Sequence, residues 1–579
     1  MPETSQPEPG VGDTPVPPTQ SARKALQIAE IFRTICMFAS HGVLASLARC
    51  CKAFQEAALR ELWSDLFDLR PLIRCLPEYA IVADEHTMQF SHTLRTEDWE
   101  TFIKYASYVR SLGFSGPGIP PTVTSEAFQA ICARRPQLVL LPNLRRLVYY
   151  SLAMPDVCLP YLLSIVGTDL RVFELDYPKP EGEAAAASGA TSSALALLSN
   201  HTHLQEFKMR GQRPPTISPA LSSFLCSMSS LTELHAESVP ITQEALTHIA
   251  ALPSLKSVYF CLPDSIQWTA QSSETPYFAN VVSFGVSATV RSYRSFARMM
   301  PLPHVPEFTL ALTAVPIGEP ISTLFSYIRR QFDPKILKAL EIKPANPRTA
   351  LEQLQQAVTS GVVARPDDFR PIYEFTALER LSITPPWNFA LTNDFARDMA
   401  KAWPRMQDLR LAYTHWCYRS AEPLALQVDG LAYFAVHCPD LHTLAIPFDA
   451  ASWSAGADAL KMLDGTAAIP EHFYAPLEGG RSTSKLERLW VNILPIAIPA
   501  QVALYLSRLF PGMKGLWFDW ESKINPPNED YEEYEDRWWE VQRIFPVIIA
   551  ARDDGRRLER ETVVAEVSPA TDASTDSDH

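Results

Sequence analysis

The sequence predicts an α/β chain in which a three-helix module near the N-terminus leads into a long, irregular solenoid of alternating strands and helices. Three observations predict it. A spacing of the form apolar-x-x-apolar-x-apolar recurs along most of the 579 residues, helical spacers separate many of the copies, and residues 26–66 carry three apolar stripes at helical spacing.

The chain opens on a tail. Residues 1–23 are polar and proline-rich (Pro2, Pro7, Pro9, Pro15, Pro17, Pro18) and lack the apolar stretch of a secretory leader, so neither a leader nor a fold is expected there. The run Pro15–Pro18 reads as solvated tail, with a polyproline ligand as the other reading. The most apolar runs, Ile493–Ala500 and Phe545–Ala551, are far below the roughly 18 residues of a membrane span, and no span is expected. Ten cysteines without C-x-x-C spacing read as reduced core thiols of a cytoplasmic or nuclear protein. A net charge of −14 and no basic stripe disfavour a nucleic-acid partner.

The helical module follows, at residues 24–75. Ile28, Ile31, Phe32, Ile35 and Phe38 fall on one face of a helix, which His41-Gly42 interrupts. Leu44, Leu47, Ala48 and Cys51 form a second stripe leading into Phe54, and Ala57, Ala58, Leu62 and Trp63 form a third. Three helices over some forty residues make a small core, so the module is expected to lean on a neighbour for stability.

The arrangement resembles an F-box of the form expanded in fungi. Ile28-Ala29-Glu30-Ile31-Phe32 matches the family's opening, Leu44 to Phe54 its Leu-x-x-Leu-Ala-x-Val-Cys-Lys-x-Trp, and Leu62-Trp63 its closing pair. Ala29 stands where the family has proline and Phe54 where it usually has tryptophan. The resemblance implies docking onto the Skp-type linker subunit of a cullin–RING ubiquitin ligase through Ile28, Ile31, Phe32, Ile35, Leu44, Leu47, Cys51, Phe54 and Trp63. The other reading is a helical cap over the first repeat.

Residues 76–528 hold the repeats. Fourteen copies start at Val109, Leu144, Leu170, Leu204, Leu231, Leu255, Val281, Val305, Leu337, Leu378, Met406, Leu441, Leu486 and Met513. The spacers Ser125–Arg134, Thr242–Ala251, Asn393–Trp403 and Pro499–Phe510 read as amphipathic helices. The array resembles the leucine-rich repeats of F-box proteins over Val109 to Phe518. It departs from them eight residues after the first Leu of each copy, usually Asn or Cys, where Leu152, Pro178, Gln212, Val239 and Pro263 stand. An uneven solenoid is expected; an ordinary α/β domain is the alternative.

In this repeat class fourteen parallel strands about 4.8 Å apart would line a concave surface on the order of 65 Å long. The residue between the last two apolar positions should face it. Those residues include Glu174, Lys208, His235, Tyr259, Glu341, Arg410, Trp490 and Trp517, a mixed polar and aromatic set suited to a protein target. Trp490 and Trp517 should be neighbours, with surface and core both open to them. The spacer Asp449–Ser484 is a candidate recognition loop.

A last helix is expected at 529–552, where Tyr531, Tyr534, Trp538, Val541 and Phe545 share one stripe with acids outside it. It reads as a cap on the final repeat, with a ligand groove as the alternative, and a second tail is expected at 553–579. Phosphate-cradling glycine loops, nucleophile elbows and H-E-x-x-H are missing from the sequence. His415-Trp416-Cys417 and His437-Cys438 lack an orienting third group. The expectation is a chain that is no enzyme and takes no cofactor or metal. It would serve as a substrate-recognition adaptor of an SCF-type ligase, or alternatively as a repeat scaffold that its N-terminal helices only cap.

Overall fold

The computed structural model describes residues 29–83, 88–90, 94–113, 125–150, 158–176, 184–211, 214–263, 277–346, 362–384, 387–411, 424–451, 482, 484–491, 494–518 and 530–567. Outside them lie Ile28, the Pro15–Pro18 run, Phe114, Leu152, Pro178, Gln212, His415–Cys417 and most of Asp449–Ser484. The chain forms two compact units, residues 1–220 with 227–230 and residues 221–226 with 231–579.

The first unit begins with helices α1 (Ala29–Met37), α2 (His41–Cys50) and α3 (Lys52–Leu62). Phe32, Cys36, Leu44, Ala48 and Ala58 are buried between them, and Phe54 stacks on Phe32 at 4.3 Å between ring centroids. Five parallel strands follow: β1 (Asp65–Leu66), β2 (Ser111–Gly113), β3 (Arg146–Tyr150), β4 (Val172–Asp176) and β5 (Glu206–Met209). Their register aligns Leu66, Leu112, Leu147, Phe173 and Phe207, so the second apolar position of each repeat stacks on the next.

Strand β1 is an element the repeat pattern does not reveal. Two residues carry no periodicity, and β1 exists because it pairs with β2 across some forty-five residues of chain. Leu66 is therefore buried in the ladder although it belongs to the stretch read as the helical module.

The second unit has ten parallel strands. They are β6 (Glu233–Pro240), β7 (Ser257–Cys261), β8 (Ser283–Ala288), β9 (Glu307–Leu312), β10 (Ala339–Pro344), β11 (Arg380–Ile383), β12 (Asp408–Arg410), β13 (Thr443–Ala445), β14 (Arg488–Trp490) and β15 (Gly515–Trp517). Leu234, Val258, Phe284, Phe308 and Leu340 align in register, and Leu381, Leu409, Leu444, Leu489 and Leu516 extend the row. The first apolar residue of each copy is buried just ahead of its strand. Each unit thus has the strand–turn–helix build of a leucine-rich-repeat solenoid.

The spacers are helical where an apolar face must cover the ladder. Helices span Ser125–Arg134, Gln243–Ala250, Asn393–Ala402 and Pro499–Leu509. Thr242 and Thr392 cap two of them through side-chain oxygens that accept backbone N–H bonds from Ala245 and Phe395. The missing polar ladder has a visible consequence. Val239 is buried, β6 runs on to Pro240, and the pairing with β7 slips between Ala236 and Pro240.

The final helix spans Asp530–Val567 and so continues past 553, where the sequence suggests a tail. Residues 553–567 are rich in Arg and Glu, good helix formers, and extend a helix already nucleated by its packed half. Trp538, Val541 and Phe545 are buried, and the Trp538 indole donates to the Leu494 carbonyl at 2.8 Å. The Leu516 N–H, on the last strand of the ladder, donates to Gln542 Oε1 at 2.7 Å. That bond gives one backbone donor of the edge strand a side-chain acceptor from the helix packed beside it. Among the described residues no helix is long and apolar enough to cross a membrane.

Candidate interaction surfaces

The first candidate surface belongs to α1. Helical spacing places Phe32 and Cys36 on the stripe that faces α2 and α3, and Ile31, Ile35 and Phe38 on the stripe beside it. The apolar arc of α1 is wider than its own core uses. Ile31, Ile35, Met37 and Val43 are exposed, and Phe38 is 86% exposed. Large apolar side chains gathered at a surface mark an interaction site more often than isolated ones do.

The residues assigned to linker docking therefore separate. Ile31, Ile35 and Cys51 are exposed. Phe32 and Leu44 are buried, and Leu47 and Phe54 are half-buried against the same core. Trp63 is half-buried and stacks on Tyr105 at 4.3 Å. Sequence periodicity merges the two stripes of α1 because both are apolar; only packing tells them apart. Met37 and Val43 join the exposed set, although neither falls on the period that α1 displays.

The module is also fastened to the first repeat. Tyr108 donates its phenol proton to Glu56, with Oε1 at 2.8 Å and Oε2 at 3.0 Å, and Arg60 donates to Glu56 Oε1 at 2.9 Å. These donors, Arg60 first and Tyr108 second, hold the Glu56 carboxyl below its ordinary range.

The second candidate surface is the ladder face opposite the core. In the first unit Val148, Glu174 and Lys208 are successive in register. In the second unit one continuous row runs His235, Tyr259, Gly285, Thr309, Glu341, Ser382, Arg410, Ala445, Trp490 and Trp517. Period-two alternation makes this row readable from sequence once the strands are found.

Charges on this face are largely paired. Arg146 bonds Glu174 at 2.8 Å, Lys208 bonds Glu206 at 3.0 Å, and Arg410 grips Asp408 through two bonds of 2.8 Å. Glu341 accepts from Thr309 at 3.2 Å and lies 3.4 Å from Lys343.

Tyr259 sits at the centre of a small aromatic site. Its ring stacks with His235 at 5.7 Å, and Lys343 Nζ lies 5.5 Å from its centroid. The ring covers Gly285 so closely that a Cβ there would lie 2.1 Å from it. Burial pushes the phenol well above the usual tyrosine range. At the other end of the row Trp490 and Trp517 pack at 5.9 Å, with Arg488 6.0 Å from the Trp517 ring. Trp517 is 45% exposed and Trp490 half-buried, which answers the choice between surface and core differently for each.

Cys438 is a core thiol. It donates to the carbonyls of Trp403 at 3.5 Å and Ala400 at 3.7 Å, and burial pushes its pKa up to about 12. At neutral pH it stays protonated and so lacks the thiolate a nucleophile requires.

No protein-family model matches the chain, and no curated protein matches it. Among solved structures it is similar to the crystal structure of a Rad7 and Elc1 complex in yeast. The identity is 12%, covering 70% of this chain and 92% of that one, at a TM-score of 0.34. It is also similar to the leucine-rich repeat-containing protein LegL7 from Legionella pneumophila. There the identity is 9%, covering 73% of this chain and 95% of that one, at a TM-score of 0.27.

Proposed function

We propose that this protein is a non-catalytic, cytoplasmic or nuclear substrate-recognition adaptor of an SCF-type cullin–RING ubiquitin ligase. The exposed stripe of α1 holds the Skp-type linker subunit, and the paired and aromatic ladder face of the solenoid holds a target protein. Its mechanism is proximity: the target is concentrated at the ligase with no chemistry on this chain.

One observation carries the reading. The helix that matches the opening of an F-box closes a core with Phe32 and Cys36 while leaving Ile31, Ile35 and Phe38 uncovered. A second reading, a scaffold whose helices only cap the repeats, is favoured by the Tyr108–Glu56 and Trp63–Tyr105 contacts and by the β1–β2 pairing.

Binding of the full chain to the purified linker subunit decides between them. The adaptor reading expects micromolar or tighter binding that falls about tenfold or more in Ile35→Asp and Phe38→Asp, the loss typical of interface anchors. Intact protein that fails to bind at micromolar concentrations leaves only the scaffold.

A further inference from the structure

Two cysteines meet at the joint between α2 and α3. Cys50 is the last residue of α2, and Cys51 stands between it and Lys52, the first residue of α3. Both are exposed free thiols, and among the described residues no other cysteine is exposed. Cys36, Cys132, Cys158, Cys261 and Cys438 are buried, and Cys75 and Cys226 are partly covered. Burial pushes Cys132 up to about 11 and Cys438 up to about 12, so those thiols stay protonated as well as shielded. A small oxidant arriving from water therefore meets this pair ahead of every other described thiol.

Nothing in the packing of the module accounts for the pair. An unbonded cysteine behaves as a small hydrophobe and is usually buried. Neither Cys50 nor Cys51 belongs to the core that Phe32, Cys36, Leu44, Ala48 and Ala58 build. Cys51 occupies the N-cap of α3, yet its side chain makes no capping bond. Its backbone has a structural role instead. It is extended, with φ −159° and ψ 160°, and its carbonyl accepts the N–H groups of Phe54 at 3.2 Å and Gln55 at 3.1 Å. Those bonds open α3 and aim Phe54, whose ring stacks on Phe32. The residue that carries one of the two thiols thus also starts the helix.

We propose that Cys50 and Cys51 are a modification site, oxidised by a peroxide to a reversible vicinal disulfide. One thiol attacks the peroxide: an S–O bond forms, the O–O bond breaks, and water leaves behind a sulfenic acid. The neighbouring thiol then attacks that sulfur. An S–S bond forms, the S–O bond breaks and a second water leaves, so two electrons pass from the thiols to the peroxide. Adjacent Cα atoms lie about 3.8 Å apart across a trans peptide, whereas bridged cysteines usually stand about 4.4–6.8 Å apart. Closing the ring turns Cys51 out of its extended conformation, and a thiol reductant reopens it readily. Turning Cys51 withdraws the carbonyl that Phe54 and Gln55 use and loosens the first turn of α3. The loosened module then loses part of its hold on the linker subunit. That last consequence rests on the adaptor reading; the thiol site does not.

The test exposes the full chain to hydrogen peroxide in modest excess and maps its peptides without reduction. The expected main product links Cys50 to Cys51 within one peptide, is lost on treatment with dithiothreitol, and is missing in Cys50→Ser. Thiols that stay reduced, go on to sulfinic acid, or bridge to another chain would overturn the proposal. Hydrogen exchange reads the coupling to α3. The Phe54 and Gln55 amides should exchange about tenfold or more faster in the oxidised chain, as expected when a bonded turn opens. Unchanged exchange would refute that coupling. Linker binding is measured on the same preparations. Reduced parent and Cys50→Ser should bind alike, and peroxide should weaken the parent alone by about tenfold, with recovery in reductant. A chain that binds no linker in either state refutes the ligase, and the disulfide and exchange results still decide the site. Binding that ignores a disulfide already formed refutes the control of docking alone.

Discussion

At Gly285 the absence of a side chain decides where an aromatic ring can lie. Tyr259 occupies the space a Cβ would fill, with His235 stacked on it and Lys343 close to its centroid. Gly285→Ala should force the ring aside and destabilise the chain by about 1–3 kcal/mol, the usual cost of overpacking. Denaturant titration would show the loss, and an unshifted midpoint would mean that the ring yields freely. Glu56 gives a pH signature. Its pKa lies below the ordinary value in the folded chain, so its stabilising contribution is complete above about pH 4.3 and is lost as pH falls through the depressed value. The stability difference between the parent and Glu56→Gln should therefore be present at pH 7 and vanish in acid. A difference independent of pH would assign the effect to shape instead of charge.

Helix α1 illustrates how one element serves two surfaces. Phe32→Ala removes a ring that stacks on Phe54 inside the small core and should cost about 3–5 kcal/mol, enough to loosen the module. Ile35→Ala, on the exposed stripe, should change stability by no more than about 0.5 kcal/mol. Hydrogen exchange over residues 29–62 checks both, and equal effects would contradict the two-stripe arrangement. The sequence shows that α1 is amphipathic, and in that sense the element was legible. Which apolar stripe lies inside was not, because Ile31 and Phe32 are adjacent in the chain and equally apolar. The strands were more legible, since Leu147, Phe173 and Phe207 repeat at a spacing that only a buried row satisfies.

At the scale of the whole molecule, an array of repeats has ends that need cover. Strand β1 is two residues long with Asp65 exposed, a short edge that offers little to another chain's backbone. In the second unit the helix Asp530–Val567 buries Trp538 and reaches the edge strand β15 through Gln542. Truncation after residue 529 should expose this strand edge and its apolar face together. We expect a lower unfolding midpoint and concentration-dependent association in analytical ultracentrifugation. A truncated chain that stays monomeric and as stable as the parent would show that the helix is no cap.

The repeat spacing, the helical spacers and the alternating faces are local periodicities, and the sequence by itself determined them. They follow from how side chains project every 3.6 or every two residues. Tertiary structure alone decided three things. It formed β1 from two residues without a pattern, divided the apolar arc of α1 into a buried stripe and an open one, and left Cys50 and Cys51 exposed while burying thiols such as Cys36. Each depends on contacts between distant segments. Residue spacing records a segment's own period and holds no information about the neighbour that packs against it.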